Sequence, residues 1–221
     1  MNKPIEAVVF DMDGLIFDTE RLWHDSVVET NKYHNTNVPL DLVRKCTGLR
    51  NDDIDIKLKS AMGEEFDTDQ FREWNRYYME KDIQENNLKV KKGFLELIDY
   101  LQNNNIKFAI ASSSEKSEIE KRFMQAKLDI NVFNYVIGGE MVSKAKPAPE
   151  IYIRACEMLG VNPDNAIALE DSNNGIISAY QAGMKPILIP DITINTDYVK
   201  SIAYRVLEDL SCVIDVIEED K

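Results

Sequence analysis

Histidine and cysteine are nearly missing from this sequence, with two and three copies in 221 residues. Cys46, Cys156 and Cys212 are too few and too scattered for a disulfide framework or a CxxC metal site, which fits a reducing cytoplasm. Positive charge is also short: 26 Lys and Arg stand against 39 Asp and Glu, a formal charge of -13, with no basic stripe. Such a chain repels polyanions, so neither nucleic acid nor an anionic membrane is an expected partner. An anionic small substrate is compatible with that charge, because local cations decide binding in a cleft. Long apolar runs are lacking too. Ala7 to Phe10 is short and flanked by Glu6 and Asp11, and nothing later reaches the roughly 18 apolar residues of a membrane span. Internal repeats, low-complexity tracts and Gly/Ser linkers do not occur.

What remains is an ordinary globular composition in which short apolar runs recur: Ile5 to Phe10, Phe108 to Ala111, Tyr135 to Ile137, Ala166 to Leu169 and Pro186 to Ile189. Continuous rather than alternating hydrophobicity is what a parallel strand buried on both faces requires. Between the runs lie helical patterns. Phe94, Leu97, Ile98 and Leu101 fall at i, i+3, i+4 and i+7; Ile119, Phe123 and Ala126 repeat the spacing; Tyr152, Ala155, Cys156 and Leu159 do so again, with Gly160 as a C-cap. Strand and helix alternating from Leu88 onward predict an α/β, Rossmann-like, doubly wound parallel sheet with helices on both faces. The first strand is separated from the second by nearly a hundred residues that carry helical patterns, such as Phe71, Trp74 and Tyr78, and no strand-like run. The expected organisation is a three-layer core of residues 1–16 plus 89–221, with an all-helical cap inserted as 17–88. The acidic end from Asp215 reads as a frayed helix terminus.

Acids cluster at predicted strand ends. Asp11-Met12-Asp13-Gly14 follows the first strand, with Asp18-Thr19-Glu20 just beyond, and Glu170-Asp171 follows a later strand before Ser172-Asn173-Asn174-Gly175 opens a helix. In a doubly wound sheet these ends share the ligand-binding edge, so four carboxylates converge. Their repulsion calls for a cation, and oxygen-only ligands with no histidine or cysteine nearby suit Mg2+ rather than zinc. Ser112-Ser113-Ser114 ends the second strand; taken alone Ser112 reads first as a helix cap, with a phosphate ligand as the alternative. Lys146 stands in a proline-bounded loop, Lys144-Ala145-Lys146-Pro147-Ala148-Pro149, where a solvated lysine is the bland alternative. Together the set supplies what phosphoryl transfer needs: nucleophile, phosphate cradle, cation and metal site.

These segments, DMDGLIFDTE, the serine after the second strand, AKPAPEIY and LEDSNNG, resemble the four motifs of the haloacid dehalogenase superfamily, and the DGxxxDTE and KPAPxxY forms are similar to its β-phosphoglucomutase-like subgroup. The resemblance implies an Mg2+-dependent phosphatase acting on a small phosphorylated metabolite such as a sugar phosphate; a monomer is compatible with it. It implies Asp11 as nucleophile, Asp13 as general acid and base, and Ser112 and Lys146 on phosphate oxygens. It places the metal on Asp11, the Asp13 carbonyl and Asp171, with Glu170 directly or through water, and Thr19 at a cap hinge. Arg50, near the specificity segment of relatives, could clamp a second anionic group. Similar mutases carry a histidine where this chain has Trp23, with His24 one residue out of register, which favours phosphatase over mutase. Trp23 is then a candidate substrate contact or a core aromatic, and His24 and His34 are expected to be structural. A catalytically silent binding protein is the remaining alternative.

Overall fold

The computed structural model describes residues 4–220. Six parallel strands form the sheet: β1 (Ala7–Phe10), β2 (Lys107–Ala111), β3 (Tyr135–Ile137), β4 (Ala166–Glu170), β5 (Lys185–Leu188) and β6 (Arg205–Val206). Their order is β3-β2-β1-β4-β5-β6, so β1 is central and the topology reverses between β1 and β4. Side chains of a strand alternate in direction, and β1 buries both sets. Val8 and Phe10 join one apolar cluster with Phe94, Leu97 and Leu101 of α5 (Phe94–Asn103) and with Val213, Val216 and Ile217 of α10 (Val213–Glu219). Ala7 and Val9 join the opposite cluster with Ile151, Tyr152 and Ala155 of α7 (Glu150–Leu159) and Ala179 of α8 (Asn173–Gln181). The two layers explain the uninterrupted hydrophobicity of the strands.

Between β1 and α5 lie four further helices: α1 (Thr19–His34), α2 (Leu40–Arg44), α3 (Asn51–Met62) and α4 (Thr68–Asn86). They have their own small core of Val27, Val38, Val43, Leu58 and Phe71. The chain leaves and returns along a short paired stalk, in which Asp18 N–H donates to Lys89 O at 3.1 Å and Lys91 N–H to Ile16 O at 2.9 Å.

Two local expectations need correction. The sixth strand carries no apolar run; its two residues are exposed and are held by pairing with Ile187 and Leu188. The acidic end is not frayed through Asp220, which is buried and accepts from Lys185 Nζ at 2.9 Å and from the Tyr204 hydroxyl. Among the described residues, no helix is long and apolar enough to cross a membrane.

Candidate active site

The carboxyl ends of β1, β2 and β4 meet at one edge, and the predicted acids, serine and lysine meet there with them. Asp11 and Asp171 follow two adjacent strands in register, Phe10 beside Leu169, and Asp11 N–H donates to Leu169 O at 3.0 Å. Lys146 is buried at the centre, its ammonium donating to Asp11 Oδ1 at 2.7 Å, Glu170 Oε1 at 2.6 Å and Ala111 O at 3.0 Å. Three acceptors fill the three donors of the ammonium. The loop lysine is therefore an inward charge rather than a solvated one. Burial acts to lower its pKa, but Asp11 and Glu170 outweigh that and hold it above the usual lysine value.

Glu170 is fully buried and fully engaged: Oε1 also accepts from the Tyr152 hydroxyl at 2.6 Å, and Oε2 from the Ser172 hydroxyl at 2.9 Å. Gly175 makes room for it, since a Cβ there would stand 1.8 Å from the Glu170 carboxyl carbon. Ser172 Oγ in turn caps α8 by accepting from Gly175 N–H at 3.0 Å.

Asp13 is half-buried and held on both oxygens, Oδ1 by the Thr19 hydroxyl at 2.7 Å and Oδ2 by the Ser114 hydroxyl at 2.8 Å. Thr19, expected at a hinge, begins α1 and positions this acid directly. Gly14 makes the turn after it at φ +80°, and a Cβ there would meet Asp171 Oδ2 at 2.4 Å. Ser112 is buried and does not cap a helix: α6 (Lys116–Gln125) starts four residues on, and the Ser112 hydroxyl accepts from Ser114 N–H at 3.1 Å.

Oxygens of Asp11, Glu170 and Asp171 lie within 4.8 Å of one another. Asp171 Oδ2 is buried without a hydrogen-bond partner among the described residues, an orphan acceptor at the place where a hard cation is expected. The donor set is oxygen only, so the residues fit Mg2+. Burial, reinforced by the other acids, raises Asp171 well above the ordinary carboxylate value. Asp11 rises to about 8, first from burial and then from Glu170 and Asp13, with Lys146 opposing. One lysine does not balance this group of acids.

Reasoning from sequence missed several partners of the site. Glu20 is buried, and that burial, reinforced by Asp13 and Asp11, pushes it up to about 8, while Gly48 N–H opposes the rise. Ser114, Tyr152 and Asn195 were also missed; the Asn195 side chain donates to Asp171 O at 2.9 Å. Of the remaining candidates, Arg50 donates to the carbonyls of Gly139 and Val142 and so ties the inserted helices to the loop after β3. That geometry uses its guanidinium on backbone oxygens rather than on a second anionic group. Trp23 packs with the small helical core. His34 stacks on Trp74 at 3.9 Å, away from the acids.

The raised carboxylates carry a testable sign. A group whose folded pKa exceeds its unfolded value stabilises fully below the unfolded pKa and loses that contribution as pH rises through the folded one. For Asp11 and Glu20 the window runs from about 4 to about 8. In EDTA, the melting temperature should therefore fall between pH 5.5 and 8, and Mg2+ should restore more of it at pH 8 than at pH 5.5. Scanning fluorimetry checks this; an equal Mg2+ shift at both pH values would contradict the metal assignment.

The chain matches the family model described as "Haloacid dehalogenase-like hydrolase" over residues 8–189. It is 30% identical over 184 residues to the phosphorylated carbohydrates phosphatase of Thermotoga maritima, covering 83% of this chain and 84% of that one. It is 27% identical to hexitol phosphatase B of Escherichia coli, covering 85% of each. A Clostridium difficile β-phosphoglucomutase structure shares the fold at a TM-score of 0.79 and 22% identity, over 98% of this chain and 96% of that one. With a family match spanning both strand ends that carry the acids, this chain belongs to the haloacid dehalogenase-like hydrolases.

Proposed function

We propose that the protein is an Mg2+-dependent phosphatase of small phosphomonoesters of the sugar-phosphate class, working through an aspartyl-phosphate on Asp11. The observation that carries this reading is the buried Lys146 ammonium at 2.7 Å from Asp11, beside Ser112 and the orphan oxygen of Asp171. A nucleophilic carboxylate and an incoming phosphate repel each other, and a preorganised cation offsets that repulsion. The Asp11 oxygen attacks phosphorus as the ester P–O bond breaks, and protonated Asp13 gives its proton to the leaving oxygen. Water then attacks phosphorus and passes a proton to Asp13, the Asp11–phosphorus bond breaks, and phosphate leaves. Thr19 and Ser114 orient Asp13 for both transfers. Asp11, Asp171 and the Asp13 carbonyl, with Glu170 alongside, would hold Mg2+, which would supply further charge neutralisation.

Residues 17–88 act as the cap, closing over the site through Arg50 and through the Ser113 hydroxyl, which donates to Gly48 O at 3.2 Å. Glu20 Oε2, Asp191 Oδ2 and His24 Nε2 are buried without partners. Glu20 interacts with Asp191, and His24 lies one helical turn along the same face. Such an acceptor-rich wall suits a polyhydroxyl leaving group. The phosphatases of phosphorylated carbohydrates and of hexitol phosphates among its relatives agree with that chemistry.

The test is phosphate release from sugar phosphates and hexitol phosphates with Mg2+, run beside an isomerisation assay primed with a sugar bisphosphate. Release that stops in EDTA and returns with Mg2+ is expected. Isomerisation with little release would make the chain a mutase.

A further inference from the structure

Outside the catalytic acids, the two halves of the molecule enclose a groove of about 520 Å³. The size falls within the range of small-ligand sites, roughly 300–1,000 Å³. One wall is Arg44, Lys45 and Thr47 from the inserted helices; the other is Asn173 and Asn174 at the start of α8, with Thr193 from the loop after β5. Both cations come from one side. Lys45 has no ion pair among the described residues, and Arg44 has only Asp41, at 3.6 Å between two exposed side chains, which water screens.

Two further observations point to a ligand. The hydroxyls of Thr47 and Thr193 are buried and have no hydrogen-bond partner among the described residues, one on each wall. Thr47 itself is only 6% exposed. A buried hydroxyl without a partner costs about 1–3 kcal/mol, so two at one groove call for something to bond. The opposite wall adds donors. Ser172 caps only Gly175 N–H, leaving the amides of Asn173 and Asn174 at the positive end of a nine-residue helix. The Asn173 side chain is occupied, bonding Ile194 O and Thr196 N–H, whereas that of Asn174 has no hydrogen bond among the described residues.

Gly48 sits over the acids, its N–H toward Glu20 and its carbonyl accepting from Ser113. The neighbouring Thr47 lines the groove, whose lining includes none of Asp11, Asp13, Glu170 and Asp171. We propose that the groove is an accessory oxyanion site for a free small anion such as inorganic phosphate, bridging cap cations to core donors and holding the cap against the core. Asp41, the one carboxylate on the lining, leaves a net balance of one positive charge, which suits a small anion rather than a polyanion. Because the Asn195 side chain in the same loop holds the Asp171 carbonyl, occupancy also steadies that acid. Product phosphate then inhibits turnover with a component that excess substrate does not relieve.

Calorimetric titration with inorganic phosphate in Mg2+ tests this on wild type, Arg44→Ala/Lys45→Ala and Lys146→Met. Wild type should take two phosphates per chain and the double variant one, with kcat in phosphate-free buffer unchanged within twofold. Lys146→Met should lose the transfer-site phosphate and keep the other. The inhibition that substrate does not relieve should vanish in the double variant alone. A single phosphate on wild type, or two on the double variant, overturns the proposal. A raised KM for a sugar bisphosphate in the double variant, with phosphate stoichiometry unchanged, would assign the groove to the substrate and overturn it as well.

Discussion

Asp11→Asn should fold as the wild type does and lose turnover by about 10⁵-fold or more, the scale seen when a nucleophile is removed from a catalytic unit. The amide matches the carboxylate in shape, keeps an oxygen for the Lys146 ammonium and leaves the Leu169 backbone bond untouched. It cannot form an acyl phosphate. Removing one of several buried acids also relieves repulsion, because Asp11, Glu170 and Asp171 approach within 4.8 Å with a single lysine between them. The variant should therefore melt no lower than the wild type in EDTA, while phosphate release disappears. Single-turnover assays with melting curves check both halves. Release within tenfold of wild type would remove Asp11 from the nucleophile's role.

How much of this was readable in the residues depends on what each feature needs. The buried strands announce themselves, because β1 and β4 must be apolar on both faces to lie inside two helical layers. The acids were readable for a related reason: Asp11 and Asp171 terminate those strands, so locating the strands places the acids at one edge. β6 was not, since Arg205 and Val206 are exposed and owe their conformation to a neighbour rather than to their own pattern. Tyr152 shows a subtler limit. It fits the apolar stripe of α7, and nothing in that periodicity shows that its hydroxyl reaches Glu170 at 2.6 Å. Glu20 sits in a motif quoted for its neighbours, yet its burial depends on how α1 leaves the sheet. Arg50 illustrates the same limit from the other side: an arginine in a specificity segment suggests an anion, and only the folded chain shows the two carbonyls it bonds. Patterns one strand or helix long are legible, whereas contacts between distant segments are not.

Lys146→Met carries the second large effect, and here chemistry and stability pull on the same side chain. Methionine preserves most of the volume and removes the charge that faces Asp11, Glu170 and Ala111 O. Breaking a buried ion pair by removing one partner costs about 3–5 kcal/mol when the remaining charge is uncompensated. Burial already raises Asp11 to about 8 with the lysine opposing, and losing the lysine raises it further, so the variant's carboxyl stays neutral to higher pH and the structural cost falls below that figure. The same protonation is fatal to nucleophilic attack, and the lost phosphate contact adds roughly 10²–10³-fold on its own. Turnover should thus fall by at least about 10³-fold at pH 7, while melting drops by only a few degrees and Mg2+ recovers part of it. Raising the pH should recover some of the chemistry by ionising Asp11, giving a rate that climbs more steeply between pH 7 and 9 than in wild type. Lys146→Arg should not rescue it, since a planar guanidinium cannot point three donors from one buried atom. A Lys146→Met enzyme within tenfold of wild-type turnover, or one whose rate is flat over that pH range, would show that the lysine serves the fold and not the reaction.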